Sequence, residues 1–404
     1  MRRTFFRRGV APVALLMCLA VAAFLAPAEG LSSGPPAATR PARGPNPART
    51  RPATRPAPQP PIRAASAPAL PGTLHDPTGL IPLTDLGTKE YKGQDGGLYG
   101  GGKNEPPEAH AALARQALKR IGPLDANGKP GTDGKVVMVA IGMSNTTMEF
   151  RVFKAQADAD KRKAPHVVIV DTAQGGRTAG AWAKSLSGST MGSVAPEPGK
   201  PYQAAPGENQ PDQEKYGAAH SVWDEADRRV KNAGYSPLQI QVAWIKLAGS
   251  VKQPYPEHLK EYQGHLAAIV ALAKARWPNL QIAYLSSRIY AGHATSTLNP
   301  EPWSYESAFG VRALIQKQIQ GDESLNADAA RGAVKAPVLL WGPYLWADGA
   351  KPRADGFAWD PKDFGADGTH PSTPGSRKVA AQMLRFFTTD PLARPWFTPA
   401  ADKK

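Results

Sequence analysis

Cysteine is almost absent from this chain of 404 residues, since the only one, Cys18, lies in an apolar stretch near the start. The rest of the chain can therefore form no disulfide, use no thiolate nucleophile and hold neither an iron–sulfur cluster nor a cysteine-ligated zinc ion. The histidines are scattered without the spacing of metal ligands. We therefore expect no metal site.

Long apolar runs are also missing, with the exception of residues 10–25. Arginines precede this run and an Ala-Pro-Ala cleavage pattern follows it, which predicts a signal peptide over residues 1–28. The arginine pair Arg2-Arg3 resembles a twin-arginine signal, but Sec export is favoured because arginine-rich starts are common in Sec signals. The run is short for a span of ~20 residues, and an uncleaved anchor stays open. We expect an exported, periplasmic or extracellular protein, and the lack of disulfides is typical of a bacterial envelope.

Large apolar residues are almost absent from residues 29–71, which are rich in Pro, Ala and Arg and are predicted to form a disordered linker. Residues 1–71 contain ten Arg and one Glu, and this balance of +9 leaves only +6 of the net +15 for residues 72–404. A nucleic-acid partner is therefore not expected. The linker is either a plain spacer or a weak contact for anionic envelope polymers.

Residues 72–404 alternate strand and helix patterns without an internal repeat. Buried strands are predicted over residues 135–141, 167–170, 240–245, 281–285 and 338–341. Amphipathic helices fill the gaps, so the expected fold is α/β, a three-layer α/β/α sandwich with a mostly parallel five-stranded sheet. Residues 72–134 are predicted to be an N-terminal extension of this one domain.

Two short motifs contain candidate catalytic residues. Ser144 follows the first predicted strand, where a helix should begin, and Asp367 precedes His370 by three residues just ahead of the last amphipathic helix. A carboxylate that binds one imidazole nitrogen fixes the tautomer of the ring, so that the other nitrogen can accept a proton from a serine. Strand-end serines are usually helix caps, and it is the conjunction of the two motifs that favours catalysis.

These motifs resemble the SGNH, or GDSL-like, hydrolase superfamily of esterases, acetylesterases and lipases over roughly residues 135–390. The resemblance implies a flavodoxin-like SGNH fold and a triad of Ser144, Asp367 and His370, with no cofactor. It also implies that the backbone N–H groups of Ser144 and Gly176 bind the oxyanion. The acid that normally precedes the nucleophile is replaced by Met143, which is not a triad position.

The third block of the family departs from the pattern, because the Asn expected after the third strand is missing. In one branch, similar to sialate O-acetylesterases, the block reads Trp-x-Gln, and here Trp244 is followed two residues later by Lys246. Lys246 is thus a candidate third oxyanion donor, beside the alternative that it is a structural lysine. Asn145 or Gln174 could fill the role instead.

The candidate substrate contacts lie in the loops that follow the strands. They comprise three polar residues near the expected oxyanion donors and three aromatic residues after the fifth strand: Asn145, Gln174, Arg177, Trp341, Tyr344 and Trp346. Aromatic faces at the rim of a crevice are suited to sugar rings, and a Gly-Gly loop leaves space for a short acyl group. The sequence favours an esterase for acetyl groups on a small-molecule or polysaccharide substrate. A lipid or general carboxylesterase and a non-catalytic glycan-binding relative are the alternatives.

Overall fold

The computed structural model describes residues 79–184, 221–249 and 253–399. The predicted signal peptide, the linker and the first residues of the predicted extension lie outside the described residues. All that is described belongs to one compact unit, Ala65–Lys404. Within the described ranges, no helix is both long and apolar enough to cross a membrane.

A five-stranded sheet forms the centre of the molecule, and all of its strand pairs are parallel. The strands are β1 (Val136–Gly142), β2 (Val167–Val170), β3 (Ile240–Lys246), β4 (Ile282–Ser286) and β5 (Val338–Trp341). Their order in the sheet is β2-β1-β3-β4-β5, which is the order of flavodoxin-like folds. The predicted α/β class and all five predicted strands are confirmed.

Helices cover both faces of the sheet. They are α1 (Glu108–Leu118), α2 (Ser144–Ala159), α3 (Ala179–Lys184), α4 (Val222–Asn232), α5 (Glu257–Arg276), α6 (Trp303–Ile319), α7 (Thr373–Thr389) and α8 (Arg394–Phe397). Because parallel crossovers are right-handed, the reversal of strand order after β2 puts α2 on one face and α5 and α6 on the other. Phe150 of α2 stacks on Trp244 of β3, and Phe153 packs against Phe387 of α7, so α2 and α7 share a face.

The sequence explains why these elements start and end where they do. Every residue of β1, β3 and β4 is buried, as expected for central strands covered on both sides. The hydroxyl of Ser372 accepts a hydrogen bond from the Gly375 N–H and caps α7, which has a proline in its first turn. The capping residue lies two residues after His370, so the cap also positions the histidine loop.

The described part of the N-terminal extension packs on the loops that follow β5. Its backbone reaches two aromatic side chains there: the Leu83 N–H donates to the Tyr344 hydroxyl, and the Leu98 carbonyl accepts from the Trp341 indole. The buried guanidinium of Arg312 on α6 donates to the Asp95 carbonyl, which fastens the extension to the sandwich. The extension therefore covers surface that would otherwise lie at the carboxyl end of β5.

Candidate active site

The candidate nucleophile lies at the carboxyl end of β1. Met143 is extended, with φ −113°, and Ser144 is the first residue of α2. Gly142 is required at the end of the strand, since a Cβ there would come within 2.2 Å of the Thr146 hydroxyl. In open parallel sheets, ligands bind in the crevice outside the carboxyl ends of the strands. The turn from β1 into α2 thus presents Ser144 at the edge where such ligands lie.

Ser144, His370 and Asp367 form a continuous chain of hydrogen bonds. The Ser144 Oγ is 2.6 Å from His370 Nε2, and His370 Nδ1 is 2.5 Å from Asp367 Oδ2. The other carboxylate oxygen of Asp367 accepts from the N–H groups of Thr369 and His370 at 3.0 Å each. The two side chains keep 29% (His370) and 36% (Asp367) of their surface exposed, so a substrate can reach the triad from solvent.

The tautomer of His370 follows from the ionisation of Asp367. Partial burial raises the pKa of the Asp367 carboxyl, but the hydrogen bonds from the His370 ring and from the N–H groups of His370 and Thr369 outweigh burial, and the pKa lies below its ordinary value. Asp367 is therefore ionised at neutral pH and can only accept. The proton of neutral His370 must then be on Nδ1, which leaves Nε2 free to accept the Ser144 hydroxyl.

Neighbouring loops hold the histidine loop in place. The Thr295 N–H donates to the Asp367 carbonyl at 3.0 Å, and Gly368, with φ +64°, approaches the His293 carbonyl so closely that a Cβ would lie 1.7 Å from its oxygen. Asn145 is buried, and its amide donates to the Thr369 carbonyl at 2.9 Å. The prediction that Asn145 contacts substrate is therefore wrong, because its amide ties the nucleophile helix to the histidine loop.

A glycine turn lies beside the nucleophile on the β2 side. The Gln174 N–H donates to the Gly142 carbonyl, which draws this turn toward the end of β1. A Cβ on Gly175 would lie 4.0 Å from the Ser144 Cβ, and Gly176 has φ +73°, a conformation that favours glycine. The N–H groups of Ser144, Gly175 and Gly176 make no hydrogen bond within the described ranges. They are the donors available for an oxyanion, and Gly175 is the one that the sequence analysis missed.

Gln174 and Arg177 flank the glycine turn and differ in their surroundings. The Gln174 side chain is buried and its amide donates to the Val222 carbonyl at 2.7 Å, so the prediction of a substrate contact or oxyanion donor there is wrong. Arg177 is half-buried, and its Nε is sealed from solvent without a partner. Arg177 remains a candidate for substrate contact.

Lys246 does not face the crevice. Its Nζ lies 2.7 Å from both carboxylate oxygens of Glu149 on α2, and both side chains are 0% exposed. Burial lowers the pKa of Lys246 and raises that of Glu149, and the attraction between the two charges opposes both shifts. The prediction of Lys246 as an oxyanion donor is contradicted, because the ammonium is enclosed between β3 and α2. The Thr146 hydroxyl also donates to the Lys246 carbonyl at 2.6 Å, so Lys246 anchors the nucleophile helix twice.

The aromatic residues at the end of β5 and in the loop after it are buried and do not line a rim. Trp341, Tyr344 and Trp346 all belong to the hydrophobic core. Their polar atoms are occupied, since the Trp341 indole donates to Leu98, the Tyr344 hydroxyl accepts from Leu83, and the Trp346 indole donates to Glu301. The prediction that these three side chains stack on sugar rings is wrong, because the N-terminal extension covers Trp341 and Tyr344, and Trp346 packs against Tyr305.

Two further charged residues near the site were missed, Glu149 and Arg288. Glu149 precedes Phe150 on the buried face of α2, and an acid on an apolar face indicates a buried partner. Arg288 follows the buried strand β4 by two residues and is 1% exposed. A charged residue at the carboxyl end of a central strand was the available signal for Arg288.

Neither of the two described cavities contains the triad. One, of about 270 Å³, lies between α1 and the segment after α7 and includes Tyr99 and Asp390. The other, of about 460 Å³, includes Tyr290 and His293. Ser144 and His370 line neither cavity, and both are half-buried. In the described part of the chain, no group of three or more His, Cys, Asp or Glu side chains could hold a metal ion.

No protein-family model and no curated protein matches the chain. Among solved structures it is similar to a carbohydrate esterase family 3 from Talaromyces cellulolyticus, with 13% identity, a TM-score of 0.32 and coverage of 61% of this chain and 93% of that chain. It is also similar to a family two carbohydrate esterase from Clostridium thermocellum in complex with cellohexaose, with 9% identity, a TM-score of 0.29 and coverage of 61% and 62%. Both TM-scores are low, and the proposal below therefore rests on the geometry of the site.

Proposed function

We propose that this protein is a serine esterase that hydrolyses short-chain esters, acetyl esters of carbohydrates in particular, through a covalent acyl-enzyme. The observation that carries the proposal is the hydrogen-bonded chain from Ser144 through His370 to Asp367, at 2.6 and 2.5 Å. A nucleophile and a base within hydrogen-bond reach, with the base oriented by a third group, is the arrangement that nucleophilic acyl transfer requires.

In the first step of the proposed reaction, His370 Nε2 takes the Ser144 proton while Ser144 Oγ attacks the ester carbonyl. The negative charge that develops on the carbonyl oxygen is bound by backbone N–H groups from Ser144 and from the Gly175–Gly176 turn. His370 then donates its proton to the departing alcohol. In the second step His370 activates water, which attacks the acyl-enzyme, and the acid is released while Ser144 regains its proton.

The short acyl chain is proposed from the glycine turn beside the nucleophile, where a small gap suits a short acyl group. The Gly175–Gly176 turn lies beside the nucleophile, since a Cβ added to Gly175 would be 4.0 Å from the Ser144 Cβ. A large alcohol part is proposed because the His370 and Asp367 side chains both keep part of their surface exposed. This combination favours a small acyl group on a large alcohol such as a polysaccharide over a long-chain lipid ester. The predicted signal peptide further supports action outside the cytoplasm.

Hydrolysis of a nitrophenyl ester series from acetyl to decanoyl tests this proposal. We expect turnover that falls steeply with chain length, because the small gap beside the Gly175–Gly176 turn suits a short acyl group, and Ser144→Ala should abolish turnover at every length. The alcohol part is tested separately by acetate release from acetylated polysaccharides. Turnover that rises with chain length would indicate a lipid esterase, and turnover retained in Ser144→Ala would contradict the assignment of the nucleophile.

A further inference from the structure

Arg288 is a buried cation whose side chain has no hydrogen-bond or ion-pair partner among the described residues. Its backbone N–H donates to the Ser307 hydroxyl, but its guanidinium donates to no side chain or carbonyl in the described ranges, and its Nε is sealed from solvent. It differs in this from the two other buried arginines of the described ranges. Arg312 donates to the Asp95 carbonyl and Gln94, and Arg353 donates to Asp355 and the Tyr344 carbonyl. A buried guanidinium with unused donors is costly, and such groups are kept where a ligand completes them.

The carboxylates near Arg288 already bind other groups. Burial lowers the pKa of Arg288, while nearby Glu149, Glu301 and Asp367 raise it, which puts the guanidinium in electrostatic reach of the triad acid. Glu149 binds Lys246, Asp367 binds His370, and Glu301 accepts from the Trp346 indole and two backbone N–H groups. None of these carboxylates contacts Arg288.

A second arginine without a partner in the described part of the chain follows β2, on the other side of the strand that carries Ser144. Arg177 follows the Gly175–Gly176 turn, and its side chain makes no hydrogen bond or ion pair within the described ranges. The exposed Arg151 and the half-buried Arg229 both pair with acids, Asp171 and Glu225. Arg177 and Arg288 thus lie at the carboxyl ends of β2 and β4, on either side of the strand that carries Ser144.

We propose that Arg177 and Arg288 bind an anionic group of the substrate, a carboxylate or a sulfate, so that the preferred ester is borne by an acidic sugar. This inference rests on the proposed esterase function and specifies its substrate. The planar guanidinium fork matches the geometry of a carboxylate, and its charge has no use in recognising a neutral hydroxyl. The two arginines are not required to bind the oxyanion, since backbone N–H groups are available for that.

The test compares acetylated methyl glucoside with acetylated methyl glucuronoside, which differ only in a hydroxymethyl or a carboxylate at C6. We expect kcat/KM to be at least about tenfold higher for the uronoside, chiefly through a lower KM. Arg288→Gln and Arg177→Gln should each bring this ratio toward one, and Arg288→Lys should restore part of it. An acetylated glucoside 6-sulfate, assayed in parallel, shows which of the two anions the site takes.

Arg162→Gln is the matched control, because it removes one arginine whose exposed side chain pairs with Asp160 ahead of β2, at the opposite edge of the sheet. It should leave the ratio unchanged. An equal fall of the ratio in this control would show general electrostatic attraction and overturn the proposal. An equal loss of kcat on both sugars in Arg288→Gln would also overturn it, since Arg288 would then act on the ester itself.

Two measurements keep this inference separate from the esterase proposal. Binding of methyl glucuronoside to the Ser144→Ala protein, measured by calorimetry, needs no hydrolysis and should be at least about tenfold tighter than binding of methyl glucoside. The thermal unfolding midpoint should fall little in Arg288→Gln, because the guanidinium makes no hydrogen bond or ion pair within the described ranges and only the longer-range attraction of nearby carboxylates is lost. A clear fall would show that Arg288 is a structural counter-ion, and equal binding of the two sugars would overturn the anion site.

Discussion

His370→Ala is expected to lower kcat for nitrophenyl acetate by about 10⁴- to 10⁶-fold, because no other side chain touches the Ser144 hydroxyl within the described ranges. Without the imidazole, the serine proton has no acceptor and the departing alcohol has no proton donor. KM should change little, since His370 is exposed at the crevice rather than part of a binding wall. Steady-state and single-turnover assays of the purified variant measure both parameters.

Two controls make this expectation specific. His166→Ala removes a half-buried histidine just before β2, at the amino edge of the sheet, and it should leave kcat within about twofold. Added imidazole should restore part of the activity of His370→Ala, as it would substitute for the missing base. A loss of less than about tenfold in His370→Ala would show that another group activates the nucleophile.

Lys246→Met is expected to lower the free energy of unfolding by about 3–5 kcal/mol, because it leaves the Glu149 carboxylate buried without its partner. The fully enclosed position of both side chains makes this the largest stability effect of a single substitution near the site. Urea denaturation followed by tryptophan fluorescence measures it, since several buried tryptophans surround the sheet.

The double variant Lys246→Met, Glu149→Leu distinguishes an anchor from a catalytic group. Replacing both charges with apolar side chains of similar size should return the stability to within about 1 kcal/mol of the original protein. Its kcat should stay within about tenfold, because Asn145 and Thr146 still tie α2 to its neighbours. A loss of kcat by 10²-fold or more in a stable double variant is the loss expected for a missing oxyanion donor. It would show that Lys246 acts in catalysis.

The sequence was sufficient for the sheet and for the residues that the structure joins in the triad. Strands buried on both faces leave long apolar runs, so all five could be recognised without their partners. Ser144 and Asp367-x-x-His370 could be paired because each lies at a boundary between elements, and parallel strands bring such boundaries to one edge. These inferences needed only local patterns and one rule of topology.

What the sequence could not supply depends on contacts between distant residues. The sequence around Lys246 does not show whether its side chain faces the crevice or α2. Only the proximity of Glu149 in the fold decides between the two orientations. Trp341 and Tyr344 lie at or after a strand end, as binding residues do. The extension that covers them comes much earlier in the sequence, and Leu98 and its partner Trp341, for example, are 243 positions apart. Asn145 was misread for the same reason, since its partner Thr369 is 224 positions away.

Covalent labelling by a fluorophosphonate is the most direct test of the central claim that Ser144 is a nucleophile activated by His370. The reagent forms a stable bond only with an activated serine, and peptide mass mapping identifies the modified residue without knowledge of the substrate. We predict one modified serine, Ser144, with no labelling in Ser144→Ala and greatly slowed labelling in His370→Ala. Labelling of a different serine, or an unmodified Ser144 in the folded protein, would contradict the account.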